Sequence, residues 1–487
     1  MGIIFKQSYQ NLLVTYFGFL IGALNVLFLY PKFLTPENYG LITYLLSVGT
    51  LIWPFLGWGF SNTIIKFYSA YKDKVDQYKL LSLALVFPLF VGLLLGVFGI
   101  ALQEKIHDYF SDNPLVRPYV YLILMVAVSI AYFEVFFAWS KLQLKSVFGN
   151  FLKEVFHRAL TCTLLLVYFF ELIDLNILIH SIAVVYIIRA IVMGVYAFKL
   201  LPIKFIFGFP TAYAKVFKYS LLILIAGFVS TSLLDLDKFM IEYFLPISEV
   251  SIYGIATYIA AVIVVPSRAM HQITLPITAN LLNQKNYSEL KSLLKKSSIT
   301  LLVIGGFIFT LIVGNIQALY SFLPEDYQLN FLIIILLGLV KIYESALGNA
   351  NSILYNSDYY RLVLYSGIFA ILMAVLLNIW LIPTQGILGA ALATGLAYGL
   401  YNTTKLLIVY YKFKIHPFSK KSLYVFLFVC AVSSIFYHIA FTEVWYIDIG
   451  IKSILIGVIF FLGVKYLNFS EEIKQSIDNL IHKKRIF

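Results

Sequence analysis

Charge is scarce in this sequence. Asp, Glu, Lys and Arg make up 12% of 487 residues, while 61% are hydrophobic and mean hydropathy is +0.89. A soluble domain carries about 25% charged residues, and so few charges cannot cover a water-facing surface. Cysteine is nearly absent. Cys162 and Cys430 both fall inside apolar runs, so they support neither a disulfide framework nor a metal site, and the seven histidines show no metal-ligand spacing. Long polar segments are missing as well. No loop exceeds about 25 residues, which leaves no room for a soluble domain, a nucleotide-binding fold or a large outer substrate loop. There is no nucleophile motif, phosphate loop or pair of catalytic carboxylates, so nothing supports ATP hydrolysis or an enzyme. The first apolar run is span-length and lacks a small-residue cleavage site, so it reads as a span rather than a signal peptide.

What is present is a series of apolar runs. A span needs about 20 residues to cross a hydrocarbon core of about 30 Å. Fourteen fit: 9–30, 39–60, 80–101, 118–138, 156–173, 177–198, 218–236, 250–272, 298–319, 329–348, 361–382, 386–409, 423–441 and 447–467. This is an all-α integral membrane protein. The net charge of +12 does not point to nucleic acid, because the basic residues are distributed by side. With a cytoplasmic N-terminus, 30 Lys and Arg fall on the cytoplasmic ends and loops. Five (Lys32, Lys105, Arg117, Lys238, Lys452) fall on the other side, and Arg189 stays within a span. Both termini are therefore expected to be cytoplasmic.

An internal repeat organises the chain. "FLTPENYGLITYL" (33–45) opens the second span, and "FLPISEVSIYGIATYI" (244–259) opens the eighth. Both following spans contain a proline, Pro54 and Pro266, at nearly equal distance from the glycine. Six intervening spans keep both copies in the same orientation. The expectation is two six-span lobes in parallel repeat, 1–200 and 201–415, followed by spans 13 and 14 (416–467) and an amphipathic tail (468–487). Parallel repeats of this kind characterise transporters. The prolines should kink their spans and are hinge candidates. In "NYSELKSLLKKSS" (286–298), Tyr287, Leu290, Leu293 and Leu294 share a face. In the tail, Ile473, Ile477, Leu480 and Ile481 do the same, which suits a helix on the inner membrane surface.

Several stretches resemble one family. "PKFLTPENYGLITYLLSV" (31–48), "LLDLDKFMIEYFLPISEVSIYGIATY" (233–258) and "LNIWLIPTQGILGAALATGLAY" (377–398) resemble the polysaccharide transporters. These are the O-antigen flippase-like branch of the multidrug/oligosaccharidyl-lipid/polysaccharide exporter superfamily. The resemblance implies transport of an undecaprenyl-pyrophosphate-linked oligosaccharide across a bacterial inner membrane, in lipopolysaccharide or related envelope synthesis. It implies alternating access, coupling to H⁺ or Na⁺, no cofactor, and spans 13 and 14 outside the core. Membrane lipids and the lipid-linked glycan are the partners, with other surface-polysaccharide assembly proteins left open. A drug antiporter of the same superfamily, a peptidoglycan-precursor flippase and a membrane polysaccharide polymerase or ligase are the alternatives. The last would need a long outer loop.

Such a cargo needs buried cations for its phosphates and aromatic or polar walls for its sugars. Arg189, in the sixth span, is a candidate phosphate contact or an ion-pair partner of Glu134 in the fourth. Arg268, just after Pro266, and Lys341, in the tenth span, are further cavity candidates. Glu344, three residues after Lys341, is expected to pair with it. Glu134, Glu344 and Asp237 are the coupling or ion-pair candidates. Asp237 and Asp235 lie on different helix faces at the end of the seventh span. The small residues Gly386, Ala390, Ala391 and Gly395 permit close helix approach.

Overall fold

The computed structural model describes residues 2–111, 113–202, 204–327, 331–475 and 478. Among them all regular structure is helical. Eleven helices are long and apolar enough to cross a membrane. One of these, Tyr360–Phe413, contains two of the expected spans. Two further segments coincide with the fifth and tenth expected spans without reaching that standard. One is 147–169, interrupted by Lys153, Glu154 and Arg158; the other is Phe331–Ala346, only 16 residues long. In chain order the segments are α1 (2–33), α2 (Pro36–Ala70), α3 (Lys74–Ala101), α4 (Val120–Leu142), α5 (147–169), α6 (Leu175–Leu200) and α7 (Tyr213–Phe244). Then follow α8 (Ser248–Asn283), α9 (Tyr287–Tyr320), α10 (Phe331–Ala346), α11 (360–385), α12 (387–413), α13 (Lys420–His438) and α14 (Trp445–Tyr466).

The split of α11 from α12 follows from geometry. A straight helix of 54 residues would extend about 81 Å, far beyond a bilayer. Gly386 interrupts it at φ 61°, ψ −144°, a conformation open to glycine alone. A Cβ on Gly389 would collide with the Leu381 carbonyl and sit 3.0 Å from the Ile382 nitrogen. Eight residues along one helix would be about 12 Å apart, so the chain reverses here. Gly386 itself has open space around it. It serves the turn, while Ala390 and Ala391, both fully buried, serve close packing.

Helix starts are written in the sequence. Thr35, Asp73, Asp174, Asn286 and Ser419 each cap a helix, accepting from the backbone N–H of Asn38, Val75, Ile177, Glu289 and Ser422. Pro36 occupies the first turn of α2, where its missing donor costs nothing. Between the caps, α3 exposes Leu89, Phe90, Leu93, Val97, Phe98 and Ile100 together on its surface. Large apolar residues exposed along a helix with internally satisfied backbone require a lipid surrounding. The chain is a multi-pass membrane protein.

Residues 1–254 and 255–487 form two compact units. In the first, α2 packs on α4 and α7, and α4 on α6. Phe60, Leu80, Leu81, Val135, Trp139 and Val216 make its main apolar cluster. In the second, α9 is the central helix, with α10, α13 and α14 against it. Spans 13 and 14 are thus built into that unit. Val429, Val432, Phe436, Ile456 and Phe460 join Val303, Phe309 and Val313 in one cluster, with Thr310–Ser433 and Asn315–Ser453 hydrogen bonds beside it.

The 286–298 segment departs from expectation. It is the first part of α9, continuous with the span, and Leu290 and Leu294 are fully buried against Leu347, Ile353, Leu354 and Val409. Its apolar stripe packs on protein rather than on a membrane surface. The start of the tail is also docked. Ser470 bonds Thr300, Glu472 pairs with Lys296 at 3.2 Å, and Ile473 packs on the α9–α13–α14 cluster. Ile477, Leu480 and Ile481 lie outside the described residues.

Candidate functional site

Each unit gathers charge inside its helices. In the first, Glu134 on α4 receives Lys153 at 2.6 Å. Lys153 sits in a π-helical turn of α5, Leu152–Phe156, one residue wider than the helix around it. Arg189 on α6 is 5% exposed. No carboxylate pairs with it among the described residues. The sequence offered it Glu134, but Lys153 holds that carboxylate. The guanidinium instead lies over the rings of Phe133 (4.5 Å) and Tyr186 (4.7 Å), and its Nε is buried with no hydrogen-bond partner. Lys141 sits over the Phe137 ring at 3.8 Å, and with Arg189 it acts electrostatically on Glu134. Cation–π contacts of this sort contribute about 0.5–2 kcal/mol, far short of what desolvating a cation costs. Around Glu134 the cluster is one carboxylate facing three cations, and the Arg158–Glu154 pair at 3.1 Å, which also acts on Arg189, adds no net charge, an arrangement suited to receiving an anion.

The second unit repeats the composition. Lys341 and Glu344 on α10 pair at 3.0 Å, and Lys341 lies 4.2 Å from the Tyr398 ring. Lys405 on α12 is 4% exposed, has no carboxylate within pairing distance among the described residues, and rests 4.2 Å from the Tyr401 ring. Lys405 and Arg268 both act on Glu344; Arg268 itself is exposed on α8. Asn402, one turn from Lys405 and fully buried, has both amide atoms without partners. Nearby, His271, Gln272, Leu275, Asn351, Ser352 and Tyr355 line a pocket of about 300 Å³ whose accessible surface is mostly apolar. Lys405 was missed from the sequence, although it lies four residues inside the expected span 386–409; that position was the available signal.

Asp237 on α7 is buried and accepts from the Tyr253 hydroxyl at 2.6 Å, while Asp235 pairs with Lys238 at 2.7 Å. The same end of the first unit holds a carboxylate that the sequence reading placed in a loop. Glu242 is 2% exposed, accepts from Asn113 Nδ2 at 3.1 Å and bonds Tyr44. Outside the spans, burial and the nearby Glu242 push the Tyr109 hydroxyl pKa above its usual value. Tyr44 and Tyr253 both belong to the repeated motif. The two copies touch here: a Cβ on Gly40 would collide with the Ile247 carbonyl, and one on Gly254 would meet Thr43 Cγ2 at 3.2 Å. The hinge candidates both adjoin interruptions. Pro54 precedes a break at Trp58 and Gly59, both left-handed, and Pro266 begins the helix that follows a 3₁₀ turn at Val262–Val264. Among the described residues no group of three His, Cys, Asp or Glu side chains is placed to hold a metal.

The profile of the polysaccharide biosynthesis protein family matches residues 5–279, more than half of the chain. The chain belongs to that family. "Probable flippase AglR" of Haloferax volcanii is 27% identical over 214 residues, 42% of this chain, and the chain spans only 44% of that relative's length. A solved structure titled "Lipid II flippase MurJ, inward closed conformation" superposes at TM-score 0.70 and 16% identity, covering 92% of this chain and 97% of that one. An outward-facing multidrug resistance MATE family transporter of the MOP superfamily superposes at 0.54 and 14% identity, covering 88% and 96%. At those identities the likeness speaks for the fold, which is that of the MOP superfamily.

Proposed function

We propose that this protein flips an undecaprenyl-pyrophosphate-linked oligosaccharide from the cytoplasmic to the periplasmic leaflet of a bacterial inner membrane. It does so by alternating access, driven by an H⁺ or Na⁺ gradient, in the synthesis of a surface polysaccharide such as O-antigen. Both termini lie in the cytoplasm. One observation carries the reading: a cation buried without a carboxylate partner in each unit, Arg189 and Lys405, beside a three-to-one excess of cations over carboxylate. Guanidinium and ammonium groups held in a low-dielectric interior are suited to a diphosphate. The pocket at His271, Asn351 and Tyr355 sets a few polar groups in a mostly apolar wall, which suits the mixed faces of a sugar. The similarity to the probable flippase AglR and to the lipid II flippase MurJ supports the same direction. A drug antiporter shares the fold, but an organic cation would meet repulsion at these clusters.

The test is reconstitution. Liposomes holding the purified protein and a fluorescent polyprenyl-pyrophosphate glycan should move label between leaflets faster than empty liposomes, and faster with a cation gradient. No movement above empty liposomes in either condition would sink the reading. Arg189→Gln at equal protein level should lower the rate by about tenfold or more, and full activity would remove Arg189 from the site.

A further inference from the structure

The two charge clusters are related by more than composition. Glu134 lies on the fourth segment and Glu344 on the tenth, 210 residues apart; Arg189 lies on the sixth and Lys405 on the twelfth, 216 apart. The tyrosine motif recurs after 214 residues, and Pro54 and Pro266 are 212 apart. The clusters therefore follow the same internal repeat as the backbone motif. The pairing repeats in kind but not in register: Glu134 on α4 takes its lysine from α5, and Glu344 takes its lysine from three residues back on α10. In each unit the carboxylate takes a single lysine, at 2.6 Å in one and 3.0 Å in the other. In each, the buried cation of the last repeat helix has aromatic faces instead of a carboxylate.

We propose that Glu134 and Glu344 are equivalent internal counter-ions. Each occupies one lysine of its three-cation site while that site is empty and yields the lysine to a phosphate group when the anion arrives. The proposal rests on the reading that the cargo carries a diphosphate. Three cations gathered around one site with no anion repel one another, and the buried one of each set, Arg189 or Lys405, is costly to desolvate. One carboxylate lowers the local charge from three to two, enough to steady the empty site and still attract an anion. The paired side chains remain reachable: Lys153 is 43% and Glu134 15% exposed, Lys341 13% and Glu344 27%. An ammonium group with three rotatable donors can turn from carboxylate to phosphate without moving the helix. Arg189 and Lys405, which have no carboxylate to leave, make the first contact. Once phosphate is bound, the displaced carboxylate becomes a like-charged neighbour and weakens retention. Glu134 and Glu344 are thus positioning residues that balance capture against release.

The experiment uses the full-length protein in detergent with inorganic pyrophosphate as probe, followed by calorimetry, and the same preparations in the liposome assay. Glu134→Gln and Glu344→Gln should each bind pyrophosphate about fivefold tighter, with steeper loss of binding on added salt. Both should also lower the KM and the maximal rate of glycan movement together. Glu134→Asp and Glu344→Asp should behave as wild type. Lys153→Met and Lys341→Met should bind pyrophosphate more weakly, which keeps the proposal open to refutation should a Gln variant fail to fold. Unchanged or weaker binding in folded Gln variants, a shift in one unit only, or no pyrophosphate binding by any form would overturn it. Shifted binding in a protein that moves no glycan would fault the flippase reading and leave the counter-ions standing.

Discussion

The two glycines of the repeated motif should respond very differently to the same substitution. Gly40 and Gly254 occupy equivalent places in "YGLITY" and "YGIATY". In Gly40→Ala the new methyl would collide with the Ile247 carbonyl oxygen and lie 2.9 Å from its carbon. Carbon contacts are comfortable at about 3.5–4.0 Å, and the carbonyl oxygen is nearer still, so two backbones must part by roughly 1 Å or more. Overpacking of that kind costs about 1–3 kcal/mol, against a gain of about 0.5–1 kcal/mol for alanine over glycine in a helix. The net expectation is about 1–2 kcal/mol of destabilisation. In Gly254→Ala the methyl meets only Thr43 Cγ2, at 3.2 Å, and a side-chain rotation of a few tenths of an ångström relieves it. There the helix gain and the contact roughly cancel. Melting of the two purified variants in detergent, followed by size-exclusion fluorescence, measures the difference. At about 2–4 °C per kcal/mol for a unit of this size, Gly40→Ala should melt a few degrees below wild type and Gly254→Ala within about a degree of it. Equal melting, or a larger loss at Gly254, would refute the packing at this corner.

Asp448→Asn should be among the most damaging single changes in α14. It leaves Lys452, 1% exposed and paired at 2.7 Å, without its counter-charge, at about 3–5 kcal/mol; Asp448→Leu combined with Lys452→Met should melt close to wild type. Gly386→Ala should cost about 1–3 kcal/mol through its backbone conformation alone, since nothing lies within 4 Å of the new methyl, whereas Gly399→Ala, also in open space but with ordinary helical φ, should be neutral or stabilising in the same assay. Tyr253→Phe removes a donor from the buried Asp237 and should lower stability by about 1–3 kcal/mol; a melting point equal to wild type would show that bond to be dispensable.

Much of the fold is legible in the residues because the bilayer imposes simple rules. Length, apolarity and basic loops place the spans, and Thr35-Pro36-Glu37 states outright where one helix stops and the next begins. The turn near Gly386 is legible from Pro383 and Gly386, though the helices on either side nearly join. The candidate site is only partly legible. Arg189 stands out because it is deep in a span, and Lys341 with Glu344 because three residues separate them. Its partners do not stand out. Lys153 looks like a loop lysine, yet a π turn in α5 delivers it to Glu134. Lys405 looks like a cytoplasmic end, yet α12 runs on to Phe413 and carries it inside. Glu242 looks like a loop acid, yet α7 runs to Phe244 and carries it under Tyr44. In each case the deciding fact is how far a helix extends, and edges are what apolar runs define least well.

The repeat itself divides into a part that has stayed alike and a part that has not, and contact explains the difference. The charge clusters lie each within its own unit, so each can keep one carboxylate and three cations without reference to the other. The tyrosine motifs touch each other. Were their contact isologous, Gly254 would meet Phe33, the residue 214 before Ile247, as Gly40 meets Ile247. It meets Thr43 instead. One copy therefore supplies the glycine that admits a backbone, and the other a glycine that needs to admit only a methyl. Tyrosines of both copies hold buried carboxylates, the last of the first copy bonding Glu242 and the first of the second bonding Asp237. Where two copies form one joint, similar sequences solve different local problems, and the sequence match that reveals the architecture is weakest as a guide to which residue will tolerate change.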